Sequence, residues 1–202
     1  MPTFPPAPAT PLLTPADTGW DEARKAWNLA VDQHPAAIAL PESAAGVIAA
    51  VNFARRHDLR VTAQGTGHGA APLGPLDGTV LINTSRMRRV SIDPVARTAR
   101  AEAGAVWADV VSPAAGHGLT GLAGSSPGVG VTGYTLGGGT GWLGRTYGLS
   151  AKQRRGIRGR HRGRPAPVRQ PGKRARPVLG AARWRRQFWR GHLARTAAVP
   201  DH

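Results

Sequence analysis

The chain has 202 residues and no cysteine, which excludes a disulfide framework and a thiolate metal site. Its net charge of +16 is uneven, because residues 1–151 contain 11 Lys and Arg against 10 Asp and Glu, whereas residues 152–202 contain 16 against one. The N-terminus lacks a basic region followed by an apolar stretch, so we expect no signal peptide. No run approaches the roughly 18 apolar residues of a membrane span, so we also expect no membrane contact and a cytoplasmic location.

Composition divides the chain into three segments. Residues 1–18 are rich in Pro and Ala, which predicts a disordered lead-in. Residues 19–151 carry the apolar patterns of a globular domain of ordinary size. Residues 152–202 are rich in Arg, Gly and Pro and lack apolar periodicity, which predicts a disordered basic tail.

The domain opens with a strand–helix–strand order. After an apolar run at residues 36–40, Ser43 is a plausible N-cap for a helix that ends in the basic residues 55–57. Basic side chains in a last turn suit the negative end of the helix dipole. A strand over residues 59–63 then leads into a glycine loop.

The second part of the domain predicts more strands and a further helix. Residues 79–83 form a strand, and residues 89–93 and 98–103 pair as a hairpin. A helix follows over residues 105–115 and ends at Gly116. This order predicts an α+β or mixed α/β domain.

The loop after the 59–63 strand reads Gln64-Gly65-Thr66-Gly67-His68-Gly69-Ala70. Glycines just past a strand let the backbone approach a phosphate, with amide N–H groups as donors. The spacing fits a G-x-G-x-x-A dinucleotide fingerprint, but Pro72 and Pro75 prevent the helix that this fingerprint requires. An ordinary tight turn is the alternative interpretation.

His68 is the chemically distinctive residue of this loop. Because both neighbours are glycines, its ring is unobstructed and could lie against a flat cofactor. A neutral imidazole nitrogen is also a competent nucleophile near neutral pH.

A second glycine-rich run covers residues 124–141 and contains no charged residue. Val129, Val131, Tyr134 and Leu136 punctuate it, which is not typical of a flexible linker. The pattern predicts backbone laid tightly against a large ligand. The alternative is a disordered glycine-rich loop.

The two motifs, about sixty residues apart, together resemble the PCMH-type FAD-binding domain of the vanillyl-alcohol-oxidase and berberine-bridge-enzyme-like oxidoreductases. Residues 81–85, 101–104 and 142–151 are also similar to its connecting segments. The resemblance covers roughly residues 30–151, so the domain is expected to be the N-terminal part of that fold.

The resemblance implies an FAD whose pyrophosphate lies on both glycine loops, with His68 bonded to the 8α-methyl carbon of the isoalloxazine. Some relatives add a second link through cysteine at the position that matches Ser126, and the absence of cysteine excludes it here. No metal ligand is expected. The residues expected to bind the cofactor are Gln64, Gly65, Thr66, Gly67, His68, Gly69, Ser125, Ser126, Gly130, Val131, Gly133, Tyr134, Gly137 and Gly138.

The basic tail also fits translation of the same gene in a shifted frame. When codons 178–192 are read one nucleotide later, the genetic code permits F-W-A-L-R-G-G-G-G-N-F-G-V-V-T. Some positions are tightly constrained: Trp184 and Trp189 must become Gly, and Gln187 must become Asn or Ser. The string resembles a signature at which this family's chain returns to the flavin, so we predict a frame break near Lys152.

A lost frame would remove the family's substrate domain and its catalytic base, so no catalytic residue is named and the chain is expected to be a truncated, catalytically incomplete enzyme. Relatives oxidise small molecules such as sugars, alkaloids and other alcohols or amines. The alternative function is nonspecific nucleic-acid binding through the tail's 16 cations, with Trp184 and Trp189 stacking on bases. No specific nucleic-acid partner is expected, and the sequence carries no signal for an oligomeric state.

Overall fold

In the part of the chain that the structure describes, two main sheets and five α-helices make an α+β fold, as the sequence predicts. The computed structural model describes residues 10–161, 164–165, 186–192 and 194–195. The strands are β1 (Leu12–Leu13), β2 (Ala37–Ala39), β3 (Arg60–Gln64), β4 (Thr79–Asn83), β5 (Val90–Asp93), β6 (Thr98–Glu102), β7 (Leu119–Thr120), β8 (Arg154–His161), β9 (Arg164–Pro165), β10 (Arg186–His192) and β11 (Ala194–Arg195). The helices are α1 (Trp20–Arg24), α2 (Ala44–Arg56), α3 (Trp107–Ala115), α4 (Val131–Leu136) and α5 (Gly144–Tyr147).

The first sheet has the order β1-β2-β4-β3, in which β2, β4 and β3 run parallel. Its central strand β4 has the bounds that the sequence predicts and is buried along its whole length. Val80 and Ile82 face the cluster that contains α2, whereas Leu81 packs with Ile38 and Trp20 on the other face. A parallel strand covered on both faces requires this continuous apolar run.

Helix α2 crosses from β2 to β3 and confirms the predicted N-cap. The Gly46 N–H donates to Ser43 Oγ at 3.2 Å, which satisfies one of the free donors of the first turn. Arg55 and Arg56 occupy the last turn, and β3 begins at Arg60, one residue later than predicted.

The second sheet has the order β5-β6-β10-β8-β9 and contains the predicted hairpin, with Val90 opposite Ala101. Helix α3 packs on it through the fully buried Trp107 and Val110. This helix begins two residues later than predicted and ends at Ala115, as expected from Gly116.

Strands occupy parts of the two segments for which the sequence predicts disorder. In the lead-in, β1 pairs with β2, while residues 1–9 lie outside the described residues. In the tail, β10 pairs with both β6 and β8. Strand pairing uses backbone groups that every non-proline residue carries, so side-chain periodicity does not reveal it. The predicted disorder of the other tail residues likewise falls outside the described part of the chain.

Within the described residues, no helix combines the length and apolar character needed to cross a bilayer.

Candidate functional site

A short segment of chain lies across the carboxyl ends of β3 and β4. This strap (residues 23–27) accepts hydrogen bonds from Asn83 Nδ2 to the Ala23 carbonyl and from Gln64 Nε2 to the Lys25 carbonyl, both at 2.9 Å. Its Trp27 N–H donates to the Thr66 carbonyl at 3.1 Å. The carboxyl ends of parallel strands are the usual place for a ligand site, and the strap and the first glycine loop meet there.

The first glycine loop (residues 65–69) presents unpaired backbone donors. Among the described residues, none of its five consecutive N–H groups has an acceptor. The next amide, that of Ala70, donates back to the Gly67 carbonyl at 3.1 Å and closes the turn. Successive free amides in an exposed turn are the donors that an anionic group such as a phosphate requires.

The glycines of this loop serve different purposes. Gly67 has φ 79°, and a Cβ there would lie 2.7 Å from Ala26 Cα, so the strap itself requires glycine at this position. Gly65 has room for a Cβ, which would lie 3.5 Å from the Ala103 carbonyl oxygen. At Gly69 a Cβ would meet no described atom within 4 Å, so this glycine leaves open space beside the loop.

The His68 ring is exposed and is held by two neighbours. Thr66 Oγ1 lies 2.7 Å from His68 Nδ1. The indole of Trp27 stacks on the imidazole with 4.5 Å between ring centroids and 16° between planes. Sequence reasoning missed Trp27, because neither spacing nor a motif links it to the glycine loop.

The two glycine-rich stretches meet at Thr66 and Gly130. A Cβ at Gly130 would lie 3.5 Å from Thr66 Oγ1, an ordinary contact distance, so the two loops are neighbours here without a steric requirement for glycine. Gly130 also forms an isolated bridge with Val106. The Val131 N–H donates to the Ala105 carbonyl at 2.9 Å. The structure therefore brings the two predicted loops together.

Helix α3 anchors the second glycine run. The N–H groups of Trp107 and Ala108 donate to the carbonyls of Val129 and Pro127 at 3.0 and 2.9 Å. The first-turn donors of α3 are thus engaged by the loop itself. These hydrogen bonds to α3 hold the loop in place, which disagrees with the alternative interpretation of a disordered loop.

Several glycines of the second run make room for Tyr134. A Cβ at Gly124, Gly139 or Gly141 would lie 3.2, 2.8 or 2.9 Å from atoms of its ring or hydroxyl. The ring also meets Trp107 edge to face, with centroids 5.5 Å apart. Burial raises the pKa of Tyr134. At these positions the glycines therefore accommodate an aromatic ring of the same chain, and the interpretation of the whole run as a ligand surface is too broad.

Other predicted positions in the second run are open. Ser125, Ser126, Gly133 and Gly137 are exposed, and Gly138 is half-buried. A Cβ at Gly133 or Gly138 would meet no described atom within 4 Å.

Two of the predicted contacts are buried in the fold. Val131 is fully buried in the core beside α3, so only its backbone can face a ligand. Gln64 is buried and holds the strap through its amide nitrogen. Within the described residues, Gln64 Oε1 and the buried Thr132 Oγ1 have no hydrogen-bond partner. Buried polar atoms without partners are uncommon in proteins and often mark a site that a ligand completes.

Among the side chains that the structure describes, no group of three or more His, Asp or Glu residues lies close enough together to hold a metal ion.

Comparison with known proteins identifies the domain. The FAD binding domain family matches residues 35–158. Glucooligosaccharide oxidase from Sarocladium strictum is 38% identical over 135 residues, which cover 65% of this chain and 27% of that protein. (R)-6-hydroxynicotine oxidase from Paenarthrobacter nicotinovorans is 32% identical over 149 residues, covering 71% of this chain and 32% of that protein.

Solved structures show the same fold. The chain superposes on 6-hydroxy-D-nicotine oxidase from Arthrobacter nicotinovorans with a TM-score of 0.80 and 27% identity, covering 92% of this chain and 42% of that one. Superposition on a variant of BBE-like 1 from Physcomitrella patens gives a TM-score of 0.84 at 25% identity and covers 94% of this chain and 43% of that one. The chain thus spans about a third or less of the length of these curated relatives.

Proposed function

The chain belongs to the family of FAD-binding domains of the PCMH type, and we propose that it forms the flavin-holding part of an oxidoreductase that carries FAD covalently on His68. One observation carries this proposal. An exposed imidazole lies within a loop of five unpaired amides, and this loop contacts the second glycine run at Gly130.

The residues present fit the cofactor. The free N–H groups of residues 65–69 can hold the pyrophosphate. The backbone is open at Gly69 in the first loop and at Gly133 and Gly138 in the second run, where a Cβ would meet no described atom within 4 Å. The partnerless Thr132 hydroxyl is a further polar group at the second loop. When bound, FAD supplies the two-electron oxidation and reduction chemistry, which no side chain of this domain provides.

His68 is the residue proposed to fix the cofactor. An imidazole nitrogen would form a bond to the 8α-methyl carbon in place of one C–H bond. Atom and electron balance then requires that a proton and two electrons leave that carbon, that the imidazole also loses its N–H proton, and that an external oxidant such as dioxygen finally accepts the two electrons. Ser126 cannot supply a second link of the cysteine type, because the chain has no thiol.

The substrate class is proposed from the relatives. Their names describe oxidases of an oligosaccharide and of hydroxynicotine, which are small molecules with an oxidisable C–O or C–N bond. We propose that the intact enzyme oxidises a substrate of this kind and that it acts in the cytoplasm. The aligned part covers 27% and 32% of these two relatives, and we assign no catalytic base to the described residues.

A frame break near Lys152 is the proposed origin of the basic tail. The charge step occurs there, and the family match ends at residue 158. Determining the DNA sequence of codons 148–156 tests this directly. An additional nucleotide, or an equivalent change modulo three, is expected, whereas a reading frame confirmed in genomic DNA contradicts it. The alternative function, nonspecific nucleic-acid binding, is favoured only by the positive charge of the tail.

Acid precipitation tests the flavin proposal. The purified full chain, incubated with FAD, is expected to retain yellow colour and flavin fluorescence after denaturation. His68→Ala should abolish the acid-stable fraction and keep reversible binding, while His57→Ala, at an exposed position of α2's C-cap, should behave as the parent chain. A full chain that stays colourless with added FAD contradicts the proposal.

A further inference from the structure

The indole of Trp27 has no role in the function described so far. It is 67% exposed, yet its plane lies nearly parallel to that of His68 at stacking distance. Large exposed aromatic side chains are common singly on protein surfaces. An exposed one that covers the face of the proposed attachment residue calls for a specific explanation.

The position of Trp27 is tied to the backbone of the glycine loop. Its N–H donates to the Thr66 carbonyl, and the preceding Ala26 lies so close to Gly67 that no Cβ fits there. The neighbouring Lys25 carbonyl accepts from Gln64 at the end of β3. The indole is therefore carried by the strap at a fixed place above the loop.

The imidazole, in contrast, has few restraints of its own. Gly67 and Gly69 provide no side chains beside it, so among the described residues two contacts limit rotation about its χ angles. Thr66 Oγ1 lies at one ring nitrogen, and the indole covers one face. The indole shields one face of the ring and restricts the directions from which a dissolved reagent can approach, while Nε2, the nitrogen that Thr66 does not contact, stays on the uncovered edge.

We propose that Trp27 is a positioning residue that restricts the His68 ring to one orientation and thereby favours its attachment to the flavin. This inference rests on the proposed covalent link, whose balance of atoms and electrons is given above. An aromatic pair of this kind changes the population of the stacked ring by roughly two- to tenfold. The same factor is expected in the accessibility and in the reactivity of the imidazole.

The first test needs no flavin. The full chain is treated with diethyl pyrocarbonate, and the rate of carbethoxylation at His68 is followed by peptide mass spectrometry, with His57 as an internal reference. Trp27→Leu should raise the rate at His68 roughly two- to tenfold, whereas Trp27→Phe, which keeps an aromatic face, should stay within about twofold. The matched control Trp142→Leu removes an 81% exposed tryptophan elsewhere and should change nothing.

Two results of this test would contradict the claim that the Trp27 indole holds the His68 ring. One is an unchanged His68 rate in Trp27→Leu. The other is an equal increase at every histidine, which reports loss of structure.

The second test measures attachment. After incubation with FAD, Trp27→Leu should form acid-stable flavin roughly two- to tenfold more slowly, while reversible FAD affinity equals that of the parent chain. An unchanged attachment rate overturns the positioning role. A parallel loss of reversible affinity also overturns it, because Trp27 would then bind the cofactor itself.

The two tests separate this inference from the proposed function. If the parent chain takes up no FAD, the proposed function fails and the attachment role fails with it, but the carbethoxylation rates still decide whether the indole holds the ring. If the parent chain attaches FAD and Trp27→Leu does so at the same rate, only the inference about Trp27 fails.

Discussion

The two glycine-rich stretches of this domain look alike in sequence and differ in structure. In the first loop, the amides of residues 65–69 have no acceptors within the described chain, and His68 projects from it. In the second, the carbonyls of Pro127 and Val129 receive the first-turn donors of α3. Three of its glycines surround Tyr134. Glycine content alone does not distinguish a ligand surface from a socket for an aromatic ring.

The difference assigns separate tasks to the two stretches. Under the proposed function, the first provides N–H donors and the attachment residue His68, whereas much of the second is scaffold that holds Gly130 near Thr66. Substitutions in the second run should therefore divide into those that destabilise the fold and those that change only the affinity for the cofactor. The following predictions test this division.

The largest effect is expected for Gly141→Ala. The added Cβ would lie 2.0 Å from the Ala123 carbonyl oxygen and 2.9 Å from the Tyr134 hydroxyl. The carbonyl oxygen belongs to the backbone, so it cannot move aside as a flexible side chain can. We expect the free energy of unfolding to fall by about 3 kcal/mol, measured by urea denaturation of the full chain. Wild-type stability in this variant would show that the Tyr134 socket is not tightly packed.

Asp109→Asn should have an intermediate effect. Asp109 Oδ2 accepts from the Val106 N–H at 2.9 Å, and the carboxylate pairs with Arg88. Burial raises the pKa of Asp109, but the hydrogen bonds from Arg88 and Val106 outweigh it, and the pKa lies below the ordinary value of 3.8. Asparagine keeps an acceptor and loses the charge, so the loss is about 1 kcal/mol in this partly exposed pair.

The sign of the pH dependence follows from that lowered pKa. Stability from the Asp109 carboxylate is present above the ordinary aspartate pKa and is lost as the pH falls through the lowered folded value. The difference in unfolding free energy between the parent chain and Asp109→Asn should therefore shrink between about pH 5 and pH 2. A difference that stays constant over this range would contradict the role of the charge.

Local patterns predicted much of the fold, and long-range contacts account for what they missed. The β4 bounds and the Ser43 cap follow from apolar runs and a single capping side chain, which are local signals. The stacking of Trp27 on His68 joins residues about forty positions apart, so no local pattern reveals it. The family resemblance implies Val131 as a cofactor contact, and because its side chain belongs to the core, only its backbone could make that contact.

A smaller and opposite effect is expected for Gly133→Ala. A Cβ there meets no described atom within 4 Å, and alanine favours the helical conformation of α4, so stability should rise by about 0.5 kcal/mol. If the open side faces FAD, reversible FAD affinity should nevertheless fall. Gly144→Ala, at an equally open glycine in α5, is the matched control and should leave FAD affinity unchanged. Equal affinity in both variants would place the cofactor away from α4.

The smallest effect is expected for Tyr134→Phe, which removes one oxygen and keeps the ring. The Tyr134 hydroxyl is buried without a hydrogen-bond partner among the described residues, so its removal breaks no bond. The unfolding free energy should change by less than about 0.5 kcal/mol, and FAD uptake should equal that of the parent chain. Tyr134→Leu, which empties part of the socket between Gly124 and Gly139, should be clearly less stable. Should Tyr134→Phe instead lose FAD while keeping its stability, the hydroxyl is a cofactor contact, and the second glycine run would share the binding role of the first.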